Sequence, residues 1–269
     1  MKAVMNRRVI TTGAVGLALS IPLMRGVGAQ AQEATPEMDS MDPMAVGYSV
    51  VRIHTLNAPE LVPEIDALVV EQFVPQVQAL PGYRGYLLAD STDNLAVNFT
   101  VSLFDSQEST AASTAASAAW VKTLDPKFQH PAPIALDGEI FIAAAPDPMM
   151  AANSATPMPE VAGTGSFVVI RHYQSVEGFD LNDLPPLILD GFVPIVSAVE
   201  GFQGYLWFIV PDGQVSISLF ATEAASQEST EKAAEWVAAN IAQYTDGKPD
   251  VYTGEIVYAD LPILQPMGY

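Results

Sequence analysis

The sequence contains an internal repeat: residues 47–144 and 165–260, here called the first and second module, carry the same short blocks in the same order. The separation between matched blocks changes from 118 to 119 and then to 116 residues, so insertions fall between the blocks. This pattern indicates one supersecondary unit that occurs twice. The matched blocks are Val50-Val51 through His54 with Val168-Val169 through His172, Phe73-Val74-Pro75 with Phe192-Val193-Pro194, Gly82 to Tyr86 with Gly201 to Tyr205, Ser102-Leu103-Phe104 with Ser218-Leu219-Phe220, Trp120-Val121 with Trp236-Val237, and Gly138-Glu139-Ile140 with Gly254-Glu255-Ile256.

Each module has the pattern strand, helix, strand, strand, helix, strand. A β-branched run from Ser49 to His54 predicts the first strand, and apolar residues spaced three and four apart predict the helix that follows. We expect Pro75 and Pro194 to kink or end this helix, because proline lacks the N–H group that a helix needs. The second helix of the first module is expected to begin at Asp105, with Glu108 in capping-box spacing.

This βαββαβ order predicts an α+β protein built from two ferredoxin-like modules, in each of which both helices cover one face of the sheet. The other face would then be bare and apolar. Two such sheets packed face to face bury these surfaces, and pairing of their edge strands closes a barrel without open edges. The sequence therefore predicts a pseudo-dimer within one chain.

Three segments of the first module resemble the antibiotic biosynthesis monooxygenase-like domains of the dimeric α/β barrel superfamily: Gly82-Tyr83-Arg84-Gly85-Tyr86, Val101 to Asp105, and Ala119-Trp120-Val121. The resemblance covers both modules as tandem copies. It implies an intramolecular dimeric α/β barrel with a ligand pocket between the sheet and the helices of each module. The family includes cofactor-independent oxygenases that act on phenolic or quinone-like compounds, haem-degrading enzymes, and members without known activity.

The haem-degrading relatives use an Asn on the first strand, a Trp, and a helical His that binds the iron. Here the first strand carries Arg52 and His54 instead, and no helical His lies beside Trp120 or Trp236. The third His, His130, is expected in a loop. Haem chemistry is therefore not expected. With three His and no Cys in the chain, neither a cofactor nor a metal site is predicted.

The candidate catalytic residues are His54 and His172, which the repeat places at matched positions at the end of each first strand. A neutral imidazole there could take a proton from a phenol or polarise bound oxygen. The candidate pocket residues are Tyr86, Tyr205 and Trp207, whose rings would line a site for an aromatic ligand. The alternatives are histidines hydrogen-bonded to the backbone and aromatic rings of an ordinary core.

The first 31 residues predict an export signal. Arg7 and Arg8 precede an apolar stretch, and Ala29-Gln30-Ala31 has the small-x-small form of a signal-peptidase site. The arginine pair resembles the twin-arginine type, which would place the mature protein outside the cytoplasm. An uncleaved membrane anchor and the general secretory route are the alternatives. Biased composition predicts a flexible tether (32–46) and a linker (145–164), and residues 261–269 form the expected C-terminal tail.

The charge limits the partners that the chain can have. Lys and Arg number 11 against 31 Asp and Glu, so the formal charge is −20, and cleavage after Ala31 would leave −24 because it removes four basic residues and no acidic one. This balance argues against nucleic acid and against an anionic membrane surface. It also repels anions, so we expect any ligand to be a small neutral or cationic aromatic compound.

Two classes of function remain open from the sequence. The first is a cofactor-independent oxygenase acting on small aromatic compounds, with His54 or His172 as the base. The second is a non-catalytic module of the same fold that binds a small ligand or has a structural role. Turnover without added metal, flavin or haem would distinguish the first class from the second.

Overall fold

The structure is a computed structural model that describes residues 47–146 and 162–264, here called the first and second half. The predicted export signal and tether (1–46), most of the predicted linker (147–161) and the end of the predicted tail (265–269) lie outside the described residues and stay predictions. Among the helices that the structure describes, none is long and apolar enough to cross a membrane.

Eight antiparallel strands, four from each half, close into one barrel with the strand order β1-β3-β2-β8-β5-β7-β6-β4. Within each half, the second strand pairs with the third and the first strand lies between the third and the fourth. The predicted α+β class and the closed barrel are confirmed. The strands are β1 (Gly47–Thr55), β2 (Tyr83–Ser91), β3 (Val97–Phe104), β4 (Ile134–Ala144), β5 (Phe167–Gln174), β6 (Phe202–Val210), β7 (Gly213–Phe220) and β8 (Asp250–Asp260).

The helices continue past the two prolines that were expected to kink or end them. In each half one π-helical turn, Val69–Phe73 or Ile188–Phe192, comes directly before the turn that holds the proline. The wider π turn changes the hydrogen-bond pattern where the proline would break it, so the chain stays helical. The α-helices are α1 (Val62–Leu68), α2 (Val74–Gln78), α3 (Gln107–Val121), α4 (Leu184–Leu187), α5 (Val193–Ser197) and α6 (Glu223–Asn240).

The longest helix of each half begins with a hydroxyl cap. The Ser106 side chain accepts a hydrogen bond from the backbone N–H of Ser109 (3.3 Å), and Thr222 accepts one from Ala225 (3.2 Å). The N-cap of α3 is therefore Ser106, one residue later than the expected Asp105. A hydroxyl at this position satisfies one of the backbone donors that a helix start leaves free.

The core has three parts. Alternate residues of the strands point into the barrel and fill it with apolar side chains such as Val51, Phe99, Leu103, Ile170 and Leu219, each at most 1% exposed. The opposite faces of the strands pack against the helices in two further clusters, one in each half. Because the barrel interior is filled, the candidate sites lie on the outer, helix-covered face of the wall.

Two seams join the halves, where β4 pairs with β6 and β2 pairs with β8. Gly138 lies in the first seam and Gly254 in the second. A Cβ atom on Gly138 would overlap the carbonyl oxygen of Ile209, and one on Gly254 would overlap that of Asp90. The close approach of the backbones at both seams therefore requires glycine.

Replacing Gly138 by Ala should weaken this closure. We expect the free energy of unfolding to fall by about 2 to 3 kcal/mol, the usual cost of forcing an added carbon into a packed region. Gly178→Ala is the control: Gly178 has a φ of +92° but open space around its Cβ position, so it should cost only about 1 kcal/mol. Urea unfolding of both variants measures the difference, and equal losses would contradict a steric role for Gly138.

Candidate functional site

Each half holds a buried arginine whose guanidinium is hydrogen-bonded to three hydroxyl groups. Arg52 on β1 donates to Oγ of Ser102 (3.2 Å) on β3 and, on α3, to Ser113 (3.2 Å) and Thr114 (2.7 Å). Burial lowers the pKa of Arg52 and of its counterpart in the second half, Arg171. These contacts tie the long helix of each half to its sheet. The second half repeats them between Arg171 and Ser218 (3.1 Å), Ser229 (2.7 Å) and Thr230 (2.9 Å).

The match between His54 and His172 is wrong by one residue. Arg52 and Arg171 occupy the same position in their strands, which makes Tyr173 the counterpart of His54. Side chains alternate along a strand, so a shift of one residue places the two histidines on opposite faces of the barrel wall. Both strands carry a run of apolar β-branched residues before the histidine, and such a run matches in either register.

His172 therefore lies away from the helix-covered face that carries His54. It pairs in the sheet with Val215, a residue of the barrel core, and its Nε2 lies 3.2 Å from Oδ1 of Asp212 in the β6–β7 turn. The ring is buried. His172 thus pairs with Asp212 at one end of the barrel, and it is not among the residues around His54.

The three predicted pocket residues lie in two separate cores. Tyr86 belongs to the helix-side cluster of the first half, whereas Tyr205 and Trp207 belong to that of the second half. Trp207 takes the position that Leu88 has in the first half, and its Nε1 donates to Oε1 of Gln214 (2.6 Å). The space beside Tyr205 and Trp207 is only about 20 Å³. The second-half pocket is therefore filled by its own side chains.

The equivalent space of the first half, beside Tyr86 and Leu88, is also small, at about 30 Å³, but an adjacent cavity in that half measures about 540 Å³. It lies between β1, the C-terminal part of α3 and the loop that leads into β4. Its volume falls in the range of small-molecule sites. Alanine and proline residues form its apolar walls, and its polar lining residues include Arg52, His54, Thr114, Ser117, Lys122 and His130.

The loop before the last strand differs between the two described halves. In the first half it contains Pro131 where the second half has Gly247, while Pro133 is matched by Pro249, and no backbone hydrogen bond joins it to the end of β1 among the described residues. In the second half the corresponding loop is fastened to the end of β5. The contacts are a bridge between Ser175 and Thr245 and backbone hydrogen bonds from Val176 to Tyr244 (3.2 Å) and from Asp246 to Gln174 (2.8 Å).

His54 is a neutral base on the cavity wall. Its side chain is buried, and among the described residues its Nδ1 has no hydrogen-bond partner. Burial, followed by the nearby His130 and Arg52, lowers the pKa of His54 to about 3. The imidazole is thus unprotonated at neutral pH and able to accept a proton or a hydrogen bond from a ligand, while its burial also weakens it as a base.

His130 lies beside His54 at the cavity, although only a loop position was predicted for it. The two rings meet edge to face with their centroids 5.0 Å apart. Nδ1 of His130 lies 2.7 Å from the carbonyl oxygen of Pro131, so Nδ1 carries the hydrogen and donates it. The sequence around His130 does not predict this contact, because it depends on how the loop folds against the sheet.

An aromatic cluster closes the inner end of the site. A smaller space of about 30 Å³, also lined by His54, is bounded by Phe73, Tyr86 and Trp120. The Phe73 ring lies 5.1 Å from Trp120 and 6.2 Å from Tyr86 between centroids. Burial raises the pKa of Tyr86. Of the predicted pocket residues, Tyr86 is the one that the structure places near the cavity.

The described residues offer no group of three or more His, Cys, Asp or Glu side chains that could hold a metal ion. His54 and His130 are two imidazoles facing one another. The chemistry that these residues support directly is proton transfer and charge stabilisation at a bound organic ligand.

Solved structures of similar fold cover 80% of this chain. Similar structures are a proposed monooxygenase of Fusobacterium nucleatum subsp. nucleatum ATCC 25586 (TM-score 0.58, 9% identity, 80% of this chain and 94% of that one) and one of Lactobacillus acidophilus NCFM (0.56, 10%, 80% and 95%). An anthrone oxidase-like protein is similar with a TM-score of 0.50 and 14% identity, over 80% of this chain and 92% of that one. The fold is that of the dimeric α/β barrels. No family model and no curated protein sequence matches the chain.

Replacing His54 by Gln should make the free energy of unfolding less dependent on pH below neutrality. The pKa of His54 is about 3 in the folded chain and about 6.5 when unfolded, so between these values only the unfolded chain is protonated. Stability therefore falls as the pH falls, by about 2 kcal/mol at pH 5. Urea unfolding at pH 7.5 and pH 5 should show that this part of the loss is absent in H54Q. An equal loss in both proteins would contradict a buried, neutral His54.

Proposed function

We propose that this chain is a cofactor-independent oxygenase that acts on a phenolic aromatic compound bound in the first-half cavity. The observation that carries the proposal is a neutral, buried imidazole, His54, on the wall of a cavity of about 540 Å³ with apolar sides. The likeness to proposed monooxygenases and to an anthrone oxidase-like protein supports the same class. A shared fold alone does not define a function, so the proposal rests on the site.

The reaction requires only the substrate, oxygen and a base. His54 would take the phenol proton, and the resulting phenolate is electron-rich enough to reduce O₂ directly. Where a CH₂ group is conjugated with the phenol, O₂ converts it to C=O, and the second oxygen leaves as water with the two hydrogens. In a hydroquinone, which has no CH₂ group, O₂ converts one ring C–H to C–OH and the ring to a quinone, and the second oxygen again leaves as water. In both cases the substrate supplies all four electrons, so no external reductant is needed. The positive charge of Arg52 at the cavity wall would stabilise the developing negative charge.

The second half has a supporting role in this proposal. We propose that the halves are tandem antibiotic biosynthesis monooxygenase-like copies, of which the second completes the barrel. Two differences support this division: Tyr173 stands in place of His54, and the loop before β8 is bonded to the end of β5. The predicted export signal is part of the proposal and would place the reaction outside the cytoplasm.

Oxygen uptake measures the proposed activity. Purified protein would be given hydroquinones and a hydroxylated anthrone in the presence of a chelator, without flavin or haem. We expect one O₂ consumed per product formed, and a rate about a hundredfold lower in H54Q, the usual loss when a general base is removed.

The matched control is H172Q, since His172 lies on the other face of the wall. Its rate should equal that of the wild type. An H54Q variant as active as the wild type would contradict the role of His54. Binding of these compounds without oxygen uptake would favour the non-catalytic ligand-binding module over the enzyme.

A further inference from the structure

The cavity has the opposite charge character to the chain that contains it. The chain has 31 Asp and Glu against 11 Lys and Arg and 3 His. Four of those basic or imidazole residues, Arg52, His54, Lys122 and His130, line this one cavity, and no Asp or Glu is among its described lining residues. Positive charges on the walls of a cleft, here those of Arg52 and Lys122, favour a negative charge in the ligand.

Lys122 is the exposed cation at the outer end of the cavity. It follows the last residue of α3 and is exposed, whereas Arg52 and His54 are buried deeper. Among the described residues Lys122 forms no salt bridge, while Lys127 pairs with Glu64 and Lys232 with Glu228. An ammonium group without a carboxylate partner is therefore available at the entrance.

One carboxylate reduces the positive charge of the cavity in part. Asp137 on β4 is half-buried and interacts with Arg52 electrostatically, so it offsets some of the guanidinium charge. Arg52 is in addition held by three hydroxyl groups inside the wall. Lys122 is consequently the cation best placed to contact an anionic group of a ligand.

We propose that the ligand is an aromatic acid, a phenol that also carries a carboxylate. The carboxylate lies against Lys122 at the entrance, and the phenol reaches His54 inside. This inference deepens the proposed function and rests on it. The net charge of −20 favoured a neutral or cationic ligand, but within the Debye length of about 8 Å a local cation outweighs distant carboxylates.

Matched pairs of compounds test this inference by binding alone. The pairs are hydroquinone with 2,5-dihydroxybenzoate, phenol with 4-hydroxybenzoate, and 1-naphthol with 1-hydroxy-2-naphthoate, each differing by one carboxylate. Calorimetric titration at pH 7.5 in about 50 mM salt should show about tenfold tighter binding of the acid in at least one pair, as one charge-assisted contact provides. In about 500 mM salt this advantage should shrink, because the contact lies at an exposed entrance.

A charge-removing variant locates the contact. K122Q should abolish the preference for the acid and leave the affinity of its neutral partner unchanged. K232Q is the matched control, since it removes the same charge from α6 of the second half, away from the cavity. It should bind both compounds like the wild type. Retention of the preference in K122Q would overturn the placement of the carboxylate.

The outcomes separate this inference from the proposed function. If neutral phenols bind as tightly as their acids and are oxidised, the aromatic-acid inference fails and the oxygenase proposal stands. If acids bind more tightly but no oxygen is consumed, the acid inference stands as that of a binding module. If no member of any pair binds or is oxidised, both fail.

Discussion

The alternation of side chains across the barrel wall determines which residues can belong to the site. One face of every strand fills the barrel with apolar groups, and the other face packs against the helices. A shift of one residue in register exchanges the two faces. This constraint places His54 beside the cavity and His172 at the barrel end, although both histidines close an almost identical run of residues.

Within this frame the halves differ by a few side chains and one loop. Both keep the buried arginine, the hydroxyl groups around it and a Trp on the long helix. The cavity of the first half lies beside a loop that makes no backbone hydrogen bond to the end of β1 among the described residues, whereas the corresponding loop of the second half is bonded to the end of β5. The second half is packed and serves the barrel. A structure of two similar halves thus supports one site.

The sequence was sufficient for the fold and insufficient for the site. The ordered repeat predicted eight strands in one closed barrel. This prediction is confirmed, because the sheet of each half has one apolar face that the helices leave uncovered and that the other half covers. Register was harder, since runs of β-branched residues match in two ways and only Arg52 and Arg171 identify the right one. His130 was missed because its role depends on how a proline-containing loop folds over the sheet. The net charge could not predict the character of the cavity, because Arg52, Lys122 and two histidines gather there from distant positions.

The central claim is that the chain has one ligand site, in its first half, and calorimetric titration tests it most directly. Ala118 on α3 lines the cavity, whereas its equally exposed counterpart Ala234 on α6 does not line the small space of the second half. With a phenolic probe that binds the wild type, we expect one molecule bound per chain. A118W should block binding, and A234W should leave it unchanged. Two molecules per chain, or undiminished binding by A118W, would contradict the account.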